Sequence, residues 1–303
     1  MLTKDQITEA AQRALYKAAV EIPEDVKKAF KTSLKIETEM GKVHLEKTLE
    51  NIEFAISRKV PVCPDTGWPL FFVKLGSEVK IDGGYSVLKE AFSRAVERLS
   101  DMGLLRITMV DPLTRKAALQ NVGMNVPYID YKLTSTDYIE ITAVPKGGGA
   151  ELFILEPFRM LLLADGIIGI KKFIIDAIIS GARAGKTCPP NVLGIGIGGT
   201  GDLCMKLAKQ AALLRPIGDR HPEERIAKLE EELKNAINAL SIGPMGCGGN
   251  TTVFDVHIEY ALTHTVGNGV AVNTQCNLTR RGTIRINSDG IIEDRKYPEW
   301  FER

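Results

Sequence analysis

The chain has 303 residues, 44% of them hydrophobic and 25% charged, with a formal net charge of +1. That length buries a substantial core and suits two subdomains or one large α/β unit. The near-neutral balance offers no electrostatic footprint for nucleic acid or an anionic membrane, and the composition is that of a soluble globular protein.

In chain order, the first sixty residues read as helices. Asp5–Val20, Glu24–Thr38 and Lys42–Arg58 carry apolar residues at three- and four-residue intervals, broken at Ile22-Pro23 and Met40-Gly41. The opening Met1-Leu-Thr-Lys-Asp-Gln lacks the apolar core of a signal peptide. Leu70–Leu75 is a short strand candidate, Tyr85–Leu99 a helix, and residues 100–128 irregular, with breakers at Asp111-Pro112 and Asn125-Val126-Pro127. Tyr138–Val144 alternates like a half-buried strand and runs into Lys146-Gly147-Gly148-Gly149, a triple glycine that suits a turn of positive φ or a close backbone approach to a ligand.

The second half predicts a long helix within Phe158–Ala184. The apolar run Met160–Ile179 is interrupted by Asp165, Lys171, Lys172 and Asp176, so it does not read as a membrane span. Val192–Ile197 reads as a buried strand, followed by a glycine-rich turn, a helix from Asp202 and a charged helix over Glu223–Leu240. Strand candidates follow at Thr252–Tyr260, Gly269–Asn273 and Gly282–Ile286. The fold class is mixed α/β: a helical N-terminal region packed on central β-sheets with flanking helices, in two subdomains. The expected divisions are 1–60 helical, 61–155 a first α/β part and 156–303 a second.

Three cysteines stand in loop settings: Cys63 in Val-Cys-Pro-Asp-Thr-Gly, Cys188 in Thr-Cys-Pro-Pro and Cys276 in Thr-Gln-Cys-Asn. A following proline favours an extended conformation at Cys63 and Cys188. Cysteine is commonly a small buried hydrophobe, and these spacings match no compact metal motif. Three loop thiolates can nonetheless hold three corners of a four-iron cluster and leave one iron open. Cys204 reads as a core residue on its helix, while Cys247 sits in a glycine-rich loop able to approach a site. Five cysteines, an odd number, without a secretion signal argue for the reducing cytoplasm and against disulfides.

Gly194-Ile-Gly196-Ile-Gly198-Gly199-Thr200-Gly201 satisfies the dinucleotide glycine pattern between a strand and a helix. The fingerprint also requires an acidic residue closing a second strand about twenty positions on. Asp219 stands at that distance, but in a loop. Tight strand-to-helix packing, with room for an anion contact at the helix N-terminus, accounts for the glycines better.

Taken together, these segments resemble the α subunit of the iron–sulfur-dependent class I hydro-lyases, the fumarate hydratases and L-tartrate dehydratases. The resemblance covers nearly the whole chain and rests on Val62-Cys-Pro-Asp-Thr-Gly67, Lys146-Gly-Gly-Gly149, Cys188-Pro-Pro190, Leu214-Arg-Pro-Ile-Gly-Asp-Arg-His-Pro222, Gly243-Pro, and His264 through Cys276. It implies that Cys63, Cys188 and Cys276 hold a [4Fe–4S] cluster, one iron of which lacks a protein ligand and acts as a Lewis acid. It places Asp65 near the substrate hydroxyl, Arg106 on a substrate carboxylate, Gly149 with its backbone against substrate and His264 on substrate or a catalytic water. Pro64 departs from the family, where glutamine commonly follows the first cysteine and offers its amide to substrate.

The resemblance implies a cytoplasmic fumarate hydratase α subunit that interconverts fumarate and (S)-malate, with Gly198-Gly199-Thr200 close to the fumarase form. It implies a β subunit, in an α2β2 assembly, that supplies the proposed base and further cationic groups, and a small dicarboxylate substrate. The alternatives are an L(+)-tartrate dehydratase α subunit, a nicotinamide-dependent oxidoreductase using Gly194–Gly201, and a non-catalytic subunit.

Overall fold

The computed structural model describes residues 1–301. The chain divides into two compact units, each assembled from separated segments. The first comprises Met1–Pro23, Asn51–Gly148 and the described residues 280–301; the second comprises Glu24–Glu50 and Gly149–Thr279.

The first unit is built on a five-stranded sheet ordered β2-β1-β3-β8-β9. Its strands are β1 (Trp68–Gly76), β2 (Tyr128–Thr134), β3 (Tyr138–Lys146), β8 (Gly282–Asn287) and β9 (Ile292–Arg295). Only the β1–β2 pairing is parallel. Helix α1 (Lys4–Val20) starts at a reciprocal cap, with the Thr3 side chain accepting from the Gln6 N–H and the Gln6 side chain accepting from the Thr3 N–H. One stripe of α1, with Ile7, Ala11, Ala14 and Leu15, enters the core beside Phe92 and Val96 of α4 (Leu88–Asp101) and Phe71, Ile141 and Ile284 of the sheet. The contact between α1 and β8 is close: a Cβ at Gly282 would lie 2.2 Å from the Ala14 carbonyl oxygen. Phe71 and Phe92 are fully buried with ring centroids 4.8 Å apart, and burial of such a side chain contributes about 1.5–3 kcal/mol.

The second unit holds a four-stranded sheet ordered β4-β7-β5-β6. Its strands are β4 (Phe158–Leu162), β5 (Asn191–Ile197), β6 (Val253–Tyr260) and β7 (Gly267–Gln275). β5 and β6 are parallel and are joined through α7 (Gly201–Leu214) and α8 (Glu224–Asn238); β7 runs antiparallel to β4 and β5. Strand alternation turns Leu193 and Ile195 toward Ile174 and Ile178 of α6 (Gly166–Ala182) and Leu233 and Ile237 of α8. The intervening glycines face α7. A Cβ at Gly194 would lie 2.1 Å from the Ala208 carbonyl oxygen, and one at Gly196 2.0 Å from that of Cys204. This part of the glycine-rich motif therefore seats a helix, and that contact accounts for it without a cofactor.

The sequence expectation needs three corrections of secondary structure. The long apolar stretch after Pro157 opens with β4 before α6 begins, and β2 and β9 arise in segments for which no strand is expected. The remaining helices, α2 (Glu24–Ser33), α3 (Glu39–Arg58) and the short α5 (Gly148–Leu152), complete the chain. Among the described residues no helix is long and apolar enough to cross a membrane.

Candidate active site

In the first unit the segment carrying Cys63 and Asp65 leaves α3 and enters β1. It is fixed from several sides. The Val62 N–H donates to the Ala19 carbonyl at 3.1 Å, and the Asn51 amide donates to the Val62 carbonyl at 2.8 Å. Buried Thr66 exchanges hydrogen bonds with the backbone of Arg106, accepting its N–H at 3.0 Å and donating to its carbonyl at 3.3 Å. Asn121, also buried, holds the same strip by accepting the N–H groups of Thr108 and Met109 and donating to the Arg106 carbonyl. The exposed Arg106 side chain then reaches Pro64, its Nη1 donating to that carbonyl at 3.2 Å. Asp65 and Arg106, distant in sequence, are thus placed on one surface.

Asp65 is pinned through both carboxylate oxygens. Oδ1 accepts the Gly67 N–H at 3.0 Å and Oδ2 accepts the Gly148 N–H at 2.6 Å. At the triple glycine one expectation is overturned: none of Gly147, Gly148 and Gly149 has positive φ. Space demands a glycine at position 149, while the other two have ordinary clearance. A Cβ at Gly147 or Gly148 would stand 3.4 Å from Asp65 Oδ2, and the one at Gly147 also 3.4 Å from Nη2 of Arg280. In the second unit, a Cβ at Gly149 would collide with the Lys186 carbonyl oxygen at 2.4 Å.

Cys188 and Cys276 share one end of the four-stranded sheet. Cys188 lies three residues before β5, Cys276 directly follows β7, and the register pairs Val192 with Gln275. The Asn277 N–H donates to the Cys188 carbonyl at 3.0 Å. Asn191 ties the two turns: its amide donates to the Thr187 carbonyl at 2.8 Å and the Gln275 carbonyl at 3.2 Å, while its oxygen accepts from the Thr187 hydroxyl at 2.8 Å. Cys188 is not extended, as its following proline predicts, but sits at φ 53°. The turn closed by its own N–H onto the Gly185 carbonyl at 3.0 Å prevails over the local preference. Such left-handed residues cost about 1–3 kcal/mol and concentrate at functional sites.

The fumarate hydratase (Fumerase) family profile matches residues 8–285 of the chain. The chain belongs to this family of hydro-lyases. The "Putative L(+)-tartrate dehydratase subunit alpha" of Methanocaldococcus jannaschii is 41% identical over 290 residues, 95% of this chain and 100% of the relative. The "L(+)-tartrate dehydratase subunit alpha" of Escherichia coli K12 is 34% identical over 294 residues, 96% of this chain and 94% of the relative.

The family's cluster calls for soft thiolate donors. None of the five cysteines is in a disulfide, and Cys63 and Cys188 are only partly buried. With Cys188 and Cys276 on hydrogen-bonded neighbouring turns, the donors fit in kind and in their loop placement. Among the described residues no three His, Cys, Asp or Glu side chains converge closely enough to ligate one metal ion. Cys204 is fully buried and donates to the Gly196 carbonyl at 3.2 Å, and burial pushes its thiol up to about 11. It is a core thiol, as its helical setting predicts. Cys247 is exposed on a turn whose Met245 N–H donates to the Pro189 carbonyl at 2.9 Å.

The hydro-lyase fold separates His264 from the two cysteines of its own unit. His264 lies exposed in the turn before β7, where its Nδ1 accepts the Val266 N–H at 3.3 Å, and Cys276 lies after that strand. The nine residues of β7 span about 27 Å at ordinary strand rise. Gly198-Gly199-Thr200, at the far end of β5, shares the His264 end of the sheet. Sequence reasoning missed Thr66, Asn121, Asn191 and Arg280. Each is buried, and each carries polar groups of the type that mark such a supporting role only once the packing is known.

Proposed function

We propose that this hydro-lyase chain is the α subunit of an L(+)-tartrate dehydratase, with a [4Fe–4S] cluster on Cys63, Cys188 and Cys276 and a β subunit completing the enzyme. The observation that carries the substrate is the name shared by the two relatives, which align with this chain over almost their full lengths. Their designation as α subunits supports the β partner, with α2β2 as the expected assembly. The reducing cytoplasm suits a cluster with one iron unligated by protein. The reaction removes the hydroxyl from one carbon of tartrate and the proton from the next, releasing water and the enol of oxaloacetate.

When bound, the cluster supplies Lewis acidity that eases departure of the hydroxyl. The chain's own residues supply orientation. Asp65, fixed by the N–H groups of Gly67 and Gly148, keeps acceptor capacity for a substrate hydroxyl. Arg106 uses one donor on the Pro64 carbonyl and has others for a carboxylate, which a guanidinium grips with two parallel bonds. The substrate contact assigned to Gly149 falls to its backbone, since the Lys186 carbonyl fills the place of its missing Cβ. His264 is assigned to substrate or water only where its own end of the sheet meets them, not beside Cys188 and Cys276.

The second reading is fumarate hydratase, favoured by the description of the family profile. The two are separated by assaying the anaerobically co-purified α and β subunits on L(+)-tartrate and on (S)-malate. Preferred formation of oxaloacetate from tartrate supports the first reading, and preferred formation of fumarate from malate overturns it in favour of the second.

A further inference from the structure

Arg280 is 2% exposed, yet it follows the cysteine segment by only a few residues and points its guanidinium at the Asp65 loop. The donors of a buried guanidinium require acceptors. Its Nε has no hydrogen-bond partner. Its Nη2 borders the space left open by Gly147, where a Cβ would stand 3.4 Å from that nitrogen and 3.4 Å from Asp65 Oδ2. Arg285 also has an Nε without a partner, but its charge is matched by Glu140 and Glu299, each 3.0 Å from Nη2. Arg280 is therefore a dry cation with an unsatisfied donor, beside a glycine-lined space and next to the pinned Asp65.

We propose that Arg280 binds one carboxylate of the substrate and sets the preference for dicarboxylates over monoacids. Nε and Nη2 together offer the two parallel donors that a carboxylate matches. Glycine at 147 and 148 leaves room for the anion, and Asp65 on the opposite side of that space suits the hydroxyl of the same molecule. The identity of the anion rests on the hydro-lyase reading; the existence of an anion site does not.

The test is binding of succinate, a dicarboxylate with no hydroxyl to lose, and of its monoamide succinamate, to the anaerobically purified complex of this chain with its β subunit. The wild type is expected to favour succinate, and Arg280→Gln to lose at least tenfold in succinate affinity while binding succinamate nearly as before. Arg280→Lys should recover only part of the loss. In turnover the effect should fall on KM more than on kcat, with iron content unchanged. If Arg280→Gln does not fold, Gly147→Ala places a methyl group in the same space and should lower succinate affinity in the same way. Absence of succinate binding in the wild type, or unchanged affinity in the variant that folds, overturns the proposal. A wild-type complex that binds succinate through Arg280 but dehydrates neither tartrate nor malate keeps the anion site and overturns the hydro-lyase reading instead.

Discussion

The backbone N–H of Asn277 donates to the carbonyl of Cys188 at 3.0 Å, so two cysteine segments 88 residues apart in sequence are joined directly at one end of a sheet. The antiparallel pairing of β5 and β7 produces this neighbourhood, and buried Asn191 fastens it from behind. A pair of thiols presented in this way is suited to holding a soft metal group whose position matters to the chemistry.

Replacing Cys63, Cys188 or Cys276 with Ser should each strip most of the iron, because a hard alkoxide is a poor substitute for a soft thiolate. Cys204→Ser and Cys247→Ser should retain wild-type iron. Cys204 should also resist alkylation in the folded protein at neutral pH, since burial keeps its thiol protonated up to about 11, whereas exposed Cys247 should react. Iron loss on Cys247→Ser with retention on Cys276→Ser would reverse the assignment.

Asn191→Ala should destabilise the second unit and loosen the cysteine pair. It leaves the carbonyls of Thr187 and Gln275 and the Thr187 hydroxyl without their partner, at about 1–3 kcal/mol for each buried group left unpaired. Urea denaturation would read the loss of stability, and iron retention on gel filtration would read the loosening. Wild-type stability would show that water replaces the amide.

Gly149→Ala should destabilise although its φ is ordinary, because the new Cβ would meet the Lys186 carbonyl oxygen at 2.4 Å. Overpacking of this kind costs about 1–3 kcal/mol. A melting temperature equal to the wild type's would mean that the Lys186 turn yields freely.

Arg106→Lys should lower turnover at least tenfold while leaving the fold intact. An ammonium keeps the charge but cannot donate to the Pro64 carbonyl and to a carboxylate with the geometry of a guanidinium fork. Steady-state kinetics on tartrate would check it, and unchanged kinetics would return Arg106 to the role of an exposed surface charge.

Most helices and the central strands are legible in the sequence because burial imposes a period on them. α1 shows its stripe of Ile7, Ala11 and Leu15, and β5 its alternation of Leu193 and Ile195 with glycine. The strands that reasoning missed, β2, β4 and β9, all lie at sheet edges. An edge strand has one open side and half-exposed faces, so Tyr128–Thr134 and Ile292–Arg295 carry little alternation, and Phe158–Leu162 is masked by the apolar helix that follows it. The site was legible where a motif is local, as in Cys63-Pro-Asp-Thr-Gly. It was not legible where a buried polar group acts at a distance. Nothing near Asn121 or Asn191 in sequence reveals that they hold Arg106 and the Cys188 turn, and the positive φ at Cys188 runs against what its proline predicts. The length of β7 likewise moves His264 away from Cys276 despite their closeness in the chain.

The most direct test of a cluster-bearing hydro-lyase is to purify the complex of this chain and its β subunit without oxygen, then measure iron, acid-labile sulfide and the conversion of L(+)-tartrate to oxaloacetate on the same sample. The expected result is close to four irons and four sulfides per α chain, the content of one [4Fe–4S] cluster, with turnover that disappears in Cys188→Ser. Tartrate turnover at the wild-type rate in iron-free protein, or with Cys188 replaced, would contradict it.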